Sequence, residues 1–431
     1  MLRSFRDLYR SGVNATIGIV GAGLAGLYLA NHLHALGAEV ILYSDVDEHS
    51  VLSRPAPPST TLWHPARELL REVGMDLAGV LGAREIRELR TRGGTPDTPV
   101  MDLRAALSGP AVAVDPRLIT RHGLARFRSS GGRVEIGAMT PEQLDRVASL
   151  HDITVVAAGN AALAGIFPVH AEKTVFKEPA RRLTQFYTLP TADDTHWRHA
   201  AQLFNVFGAG EIVRIPFYAH GIGRAYTVLI EAVPGGPLDL RRASGPAAFE
   251  AFQEVLAHFG EWVREPLSQL RLARPDAFLR GAVAQLVKHP TALLSGGRVV
   301  LGIGDAVSVL DPLVAQGGNT ALRHAAVLAR SLAASGGRCD AAWLSAVVAR
   351  MEGITAAAHA MSTLFLQPPS ADFQQVLQAA AQSERGAQDL LGAFEDPALL
   401  TPWAYDTAAA QARAASWTTD GAVLAASTTR R

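Results

Sequence analysis

Ala15-Thr-Ile-Gly-Ile-Val-Gly-Ala-Gly-Leu-Ala-Gly26 is the stretch that decides the fold. Ala15–Val20 is a short apolar run of β type, and Gly21–Gly26 follows it as G-x-G-x-x-G. Apolar residues at helical spacing run from Leu27 to Leu36 and stop at Gly37. Glu39–Tyr43 reads as a second strand, which completes a βαβ-type start. In this setting each glycine has a physical reason. Gly21 permits the tight turn, Gly23 lets the backbone approach a pyrophosphate, and Gly26 lets helix and strand pack closely. Leu24 and Ala25 complete the turn at the mouth of the helix, whose free N–H groups and partial positive charge favour phosphate. A bound dinucleotide is therefore expected. A carboxylate at the end of the second strand would hold a ribose hydroxyl. The usual Glu is absent there, and Ser44 or the neighbouring Asp45 must take its place.

A second anion site lies far along the chain. Leu301–Ala321 reads LGIGDAVSVLDPLVAQGGNTA. A buried strand ends in Gly304-Asp305, a loop holds Pro312, and Gln316-Gly317-Gly318-Asn319 opens a helix. Asp305 can accept from a ribitol hydroxyl, and the N–H groups around Gly317–Asn319 can face the electron-rich edge of a flavin.

The texture between the two motifs differs. Ser53–Pro65 is rich in Pro, Ser and Thr and reads as a loop. Pro116–Ser129 reads as a helix, and Ile153–Ala158 as a buried strand ending at Gly159. From about Phe167 to Leu286 short β-rich stretches dominate, among them Gln185–Leu189, Glu211–Pro216 and Ala225–Ala232. After the helix near Asn319–Ala334 the chain reads as mostly helical.

Composition excludes several classes. The 431 residues are 48% hydrophobic and 19% charged, a globular composition with ample material for a core. Lys+Arg and Asp+Glu are equal at 40 each, so no bulk charge points to nucleic acid. The lone cysteine, Cys339, excludes an internal disulfide, a Cys-rich zinc site and a redox dithiol. Redox chemistry thus requires a bound cofactor. Ile17–Ala30 is too short and glycine-rich to span a bilayer, and Met1–Ala15 has no signal-peptide apolar region, so a cytoplasmic location is expected. There is no G-x-S-x-G elbow, no H-E-x-x-H, no P-loop lysine and no metal-ligand spacing of His with acidic residues.

Taken together the two motifs resemble the flavoprotein monooxygenases, whose second motif is Gly-Asp followed by Pro and Gln-Gly-x-Asn. More closely, the chain resembles the oxygenase (epoxidase) component of styrene/indole monooxygenases. Ile17–Gly23, Tyr43-Ser44-Asp45, Asp115-Pro116-Arg117, Val155–Gly159, Phe176 with Pro179, Ile215-Pro216, Gly304-Asp305 and Asp311–Asn319 carry the likeness. It runs from about Thr16 to beyond Ala334. The fold it implies is α/β: a Rossmann-like FAD-binding domain over 16–165 and 287–335, an inserted β-sheet substrate domain over 166–286, and a helical C-terminal region over 336–431. Residues 1–15 form an N-terminal extension.

The resemblance also implies a function. Reduced FAD (FADH2), supplied by a separate NADH:FAD oxidoreductase, reacts with O2 at the flavin 4a carbon, and the flavin hydroperoxide epoxidises a small aryl alkene. NAD(P)H would act only through that reductase. By the same resemblance Gly21, Gly23, Gly26, Ser44, Asp45 and Arg117 serve the adenosine-pyrophosphate half, and Gly159 lies beside the nucleotide. Gly304 and Asp305 meet the ribitol. Pro312, Gln316, Gly317, Gly318 and Asn319 line the isoalloxazine. Thr60, Thr61 and His64 border the flavin and substrate. The family shows Leu-Leu-Asn-Thr in this loop with an arginine upstream; here Thr60 stands at the Asn and Pro57 at the arginine, a difference that bears on the substrate. No acid–base side chain is expected, because the cofactor carries the chemistry. The sequence leaves a homodimer open.

Two rivals remain at this level. A one-component NAD(P)H-dependent aromatic hydroxylase usually has a mid-chain Asp-Gly, whereas Ile153–Gly159 continues Ala-Ala-Gly-Asn. A flavin-binding protein without turnover is the other. A halogenase would carry a W-x-W-x-I-P box, but Val213-Arg214-Ile215-Pro216 has no tryptophan.

Overall fold

A computed structural model describes residues 15–191, 198–240, 243–336 and 338–428. The expected N-terminal extension lies almost wholly outside the described residues.

Two sheets organise the chain. The first has six strands in the order 291–293, 299–302, 153–156, 16–20, 39–44 and 133–136. All its pairings are parallel except that of the 291–293 edge with 299–302. Its central strands are continuous apolar runs, as burial on both faces requires: Ile153–Val156 is buried throughout and Ile17–Val20 likewise. Helices Leu24–Ala35, Pro116–Ser129 and Gly317–Ser335 share one apolar cluster with this sheet, and Pro141–Leu150 packs in a separate one. The strand at Val299–Gly302 returns after more than a hundred residues to lie beside Ile153–Val156. This mostly parallel layer is thus closed late in sequence.

The second sheet has nine strands and is larger than the expected insertion. Its order is 270–272, 182–190, 223–232, 210–219, 200–206, 86–94, 99–114 and 60–62, with 278–281 pairing the 182–190 strand. Three of these strands precede the 166–286 segment. Thr60–Leu62, expected in a loop, pairs antiparallel with Val112–Val114. Three residues flanked by prolines carry too little periodicity to announce a strand; the partner supplies the hydrogen bonds. Side-chain alternation divides the sheet into two faces. Ile212, Tyr226, Val228 and Ile230 face helices Pro246–Ala257 and Glu261–Ser268. Val213, Ile215, Phe217 and Tyr187 face the opposite way, toward Leu313, Val314 and the C-terminal helices.

Helix boundaries differ slightly from the sequence reading. The first helix begins at Leu24, not Leu27, with Gly23 in the N-cap position. The glycine turn thus includes the helix's own first turn. Helix Pro116–Ser129 has the expected bounds, begun by Asp115, whose carboxylate accepts from Arg117 N. The C-terminal region is helical, as expected. No described helix is long and apolar enough to cross a membrane.

Candidate flavin site

Two of the three glycines of the first motif, Gly21 and Gly26, are sterically required. Gly21 has φ +114°, and a Cβ there would lie 2.7 Å from Ala158 N. A Cβ on Gly26 would lie 1.9 Å from the Gly21 carbonyl oxygen, so only glycine allows the helix to start this close to the turn. At Gly23 the nearest atom to such a Cβ is 4.0 Å away. No side chain caps this helix, and its first turn holds no acidic residue. Its first N–H groups therefore remain available to an anion.

The second motif converges on the first. Gly304 has φ +59°, and its Cβ position is 3.9 Å from the Ala25 methyl. The Gly318 Cβ position is 3.2 Å from Leu24 Cδ1 and 2.7 Å from Thr60 Cγ2. The Gly159 Cβ position is 3.0 Å from Asp305 Cβ. Leu24, Ala25, Thr60, Gly159, Gly304, Asp305 and Gly318 are thus neighbours, although they are scattered over the sequence. Helix Gly317–Ser335 also begins without a side-chain cap or acidic first turn, and Gly317 has open space beside it. Asp305 is exposed to solvent, yet protein crowds it enough that desolvation raises its carboxyl above the usual range.

Other expected site residues have structural work. The Ser44 hydroxyl donates to Val46 O at 2.6 Å and accepts from Val46 N at 3.2 Å. Of the two strand-end candidates, Asp45 is the one whose carboxylate stays accessible, paired with Arg54 at 2.9 Å. Arg117 forks onto buried Asp115, and its Nη1 donates to Arg54 O at 2.6 Å. Gln316 is fully buried and donates to Val314 O at 3.1 Å and Phe394 O at 2.8 Å. Asn319 clamps the short strand: Oδ1 accepts from Trp63 N at 3.0 Å, and Nδ2 donates to Thr61 O at 2.9 Å. Pro312 begins a single 3-10 turn whose N-cap is Asp311. That turn ends at Ala315, which has φ +51°, the one positive φ outside glycine among the described residues. Thr61 is buried. His64 packs against Gly109, with Glu68 Oε1 3.6 Å from Nδ1, which places its ring on the long strand.

Several residues went unrecognised in the sequence. Gln185 Oε1 accepts from Ser59 N at 3.1 Å and Ser59 Oγ at 3.2 Å. Tyr187 donates to Pro57 O at 2.9 Å and stacks on Phe217 with centroids 5.0 Å apart. The sheet therefore ties down the 54–59 loop. Gln185 and Tyr187 stand two apart on one strand, so period-two alternation was the available signal that they share a face. The face carries Tyr187, Val213, Ile215 and Phe217, and it is joined in one apolar cluster by Leu313, Ala315, Phe176 and Ala56.

The donor set suits a flavin nucleotide. Two uncapped helix N-termini, glycines where a Cβ would intrude and the exposed carboxylate of Asp305 are groups able to receive an anion and a hydroxyl. Comparisons agree. Residues 159–265 match the family model described as "Styrene monooxygenase A putative substrate binding domain". Over 335 residues the chain is 28% identical to styrene monooxygenase StyA of Pseudomonas fluorescens, covering 74% of this chain and 77% of that protein. A StyA from a Pseudomonas sp. matches to the same extent. Among solved structures, the flavin-dependent brominase Bmp2 superposes with TM-score 0.63 at 13% identity, over 90% of this chain and 97% of Bmp2. The p-nitrophenol 4-monooxygenase PnpA of Pseudomonas putida DLL-E4 gives 0.62 at 14% identity, over 89% of this chain and 98% of PnpA. At such identities the superpositions establish the fold, while the sequence matches carry the class. The chain is a flavin-dependent monooxygenase. Within that class it is a styrene monooxygenase-like flavoprotein.

Proposed function

We propose that this protein is the oxygenase of a two-component system, taking FADH2 from a separate NADH:FAD reductase and epoxidising a styrene- or indole-like aryl alkene. The observation that carries this reading is the meeting of the two glycine motifs near an apolar sheet face bearing Tyr187 and Phe217. Bound reduced FAD supplies the activation of O2. The chain supplies the rest. The Leu24–Ala35 N-terminus binds pyrophosphate, Asp45 accepts from the ribose and Asp305 from the ribitol. The Pro312–Asn319 segment would support the ring, and the Gly317–Asn319 N–H groups would offer it donors. Val213, Ile215, Leu313 and the stacked aromatic pair hold an apolar planar substrate and exclude water. Thr60 stands where the family pattern shows Asn, so a hydroxyl replaces an amide at this position, and the Thr60 methyl packs toward Gly318.

The test is turnover with defined electron sources. The protein is supplied with FAD, NADH and an unrelated flavin reductase, then with styrene or indole, and epoxide or indigo is measured. Product formed with the reductase, and none when NADPH and FAD are given without it, is the expected result. Substrate-dependent NADPH oxidation by the protein alone would replace the proposal with a one-component hydroxylase. Failure to bind reduced FAD would make it a non-catalytic member of the fold.

A further inference from the structure

Behind the Pro312–Ala315 turn lies a group of acids that the flavin chemistry does not use. Glu211 and Glu231 are directly opposite each other on adjacent antiparallel strands. Both are buried, and Glu231 is completely so. Asp311, at the N-cap of the turn, is also buried and faces Glu231. One guanidinium, Arg181, acts electrostatically on all three but bonds only one of them. Arg181 forks onto Glu211 at 2.7 and 2.9 Å and spends a further donor on Leu366 O at 3.0 Å. Neither oxygen of Glu231 meets a donor from the described residues.

Three buried carboxylates beside one cation leave two uncompensated charges, an arrangement far costlier than protonating one of them. Two carboxylates offer each other only acceptors, whereas a carboxylic acid can donate to a carboxylate. We propose that Glu231 is a protonated, positioning carboxyl that donates to Asp311 and so holds the Pro312–Ala315 turn in the shape the flavin requires. The proton resides on Glu231 because Asp311 has a competing donor: Leu313 N reaches Asp311 Oδ1 at 3.1 Å, which favours the ionised form of Asp311. Burial, with Asp311 and Glu211 nearby, pushes the Glu231 carboxyl well above the ordinary range. Burial also raises Asp311, opposed by its bonds to Glu231 and Leu313 N and by Arg181.

The sign of the pH dependence follows. Glu231 keeps its proton in the folded protein at pH values where the unfolded chain has released it. Its contribution to stability is complete below the unfolded carboxyl pKa and is lost as pH rises toward the folded one. When Glu231 ionises, two adjacent buried carboxylates repel, and Asp311 is the one carried by a loop.

This inference rests on the placement of the turn at the flavin, so the test separates the two ideas. The infrared spectrum of the flavin-free protein should contain a protonated carboxyl carbonyl band near neutral pH that is missing from Glu231→Gln. This arm requires no cofactor. Binding of reduced FAD by anaerobic equilibrium dialysis should weaken with rising pH more steeply in the wild type than in Glu231→Gln, whose amide still donates to Asp311. Glu231→Ala should weaken binding by about tenfold, the loss of one buried hydrogen bond to a charged group. Absence of the band, or an equal alkaline loss in Glu231→Gln, would overturn the protonated pair. A band with pH-independent binding would overturn its link to the turn. No binding of reduced FAD by the wild type would instead sink the flavin assignment. If Glu231→Ala does not fold, Glu231→Gln and the band decide.

Discussion

Asn319 is the residue whose function changed most between sequence and structure. As the last residue of Gln-Gly-Gly-Asn it reads as part of a flavin edge; in the fold its amide joins helix Gly317–Ser335 to Thr61 O of the short strand and to Trp63 N just after it. It also donates to Ala315 O at 2.6 Å, which holds the left-handed residue that ends the Pro312 turn. A single buried amide thus fixes three backbone segments around the site. Asn319→Ala should cost about 3 kcal/mol, since each buried group left unpaired costs about 1–3 kcal/mol. Urea unfolding measures it. A loss well below 1 kcal/mol would mean that the strand is held by its ladder with Val112–Val114 alone. Asn319→Asp keeps the acceptor but loses both donations and buries a charge, so it should be no better than alanine.

At the scale of elements, the local pieces were legible and the pairings were not. Strand, turn and helix at Thr16–Ala35 are written in adjacent residues, and Pro116–Ser129 carries its own N-cap and proline at the first turn. Strand membership is a long-range property. Ile86–Gly94 runs parallel to Ala200–Val206, and nothing within either segment names the other. The same holds for the site. Glycine motifs announce themselves by steric need, while Gln185, Tyr187 and Glu231 acquire meaning only from what the fold sets opposite them. The C-terminal turn at Gly392–Leu400 belongs to this second kind. Phe394 O accepts from Gln316, Glu395 O accepts from Arg323, and the Glu395 carboxylate accepts from Ser108 N at 2.7 Å and Ser108 Oγ at 2.8 Å. It staples helix Gly317–Ser335 to the sheet. Glu395→Ala should cost about 2–3 kcal/mol, as expected for bonds to a buried carboxylate. Amide exchange in 312–319 should rise with it, because Gln316 depends on the same turn. Exchange unchanged in that segment, despite a lower stability, would show that the staple serves the sheet only.

Across the whole molecule, the parallel-sheet layer and the C-terminal helices are joined through buried neutral histidines. Gly304 N donates to His324 Nδ1 at 3.3 Å, which leaves the proton on Nε2 to donate to Thr355 Oγ1 at 3.1 Å. His359 contacts Ser308 Oγ at 3.2 Å from the same helix as Thr355. Burial lowers both imidazoles to about 4. The unfolded chain binds protons near pH 6.5, whereas the folded protein does not until about pH 4. Stability from each histidine is therefore complete above pH 6.5 and lost as pH falls toward 4. Glu231 works in the opposite direction, so the net curve of the wild type is a poor guide. The difference between two proteins isolates the term. His324→Gln keeps a polar group at the site and removes the titration. Between pH 7 and pH 4 the wild type should lose about 3 kcal/mol more than His324→Gln, from a shift of roughly 2.5 units at 1.36 kcal/mol each. Urea unfolding of both proteins across that range provides the comparison. Parallel curves would mean that His324 protonates with little penalty in the folded state. That would require water or a carboxylate to reach it, and the Gly304 end of the proposed flavin site would then be open from the helical side.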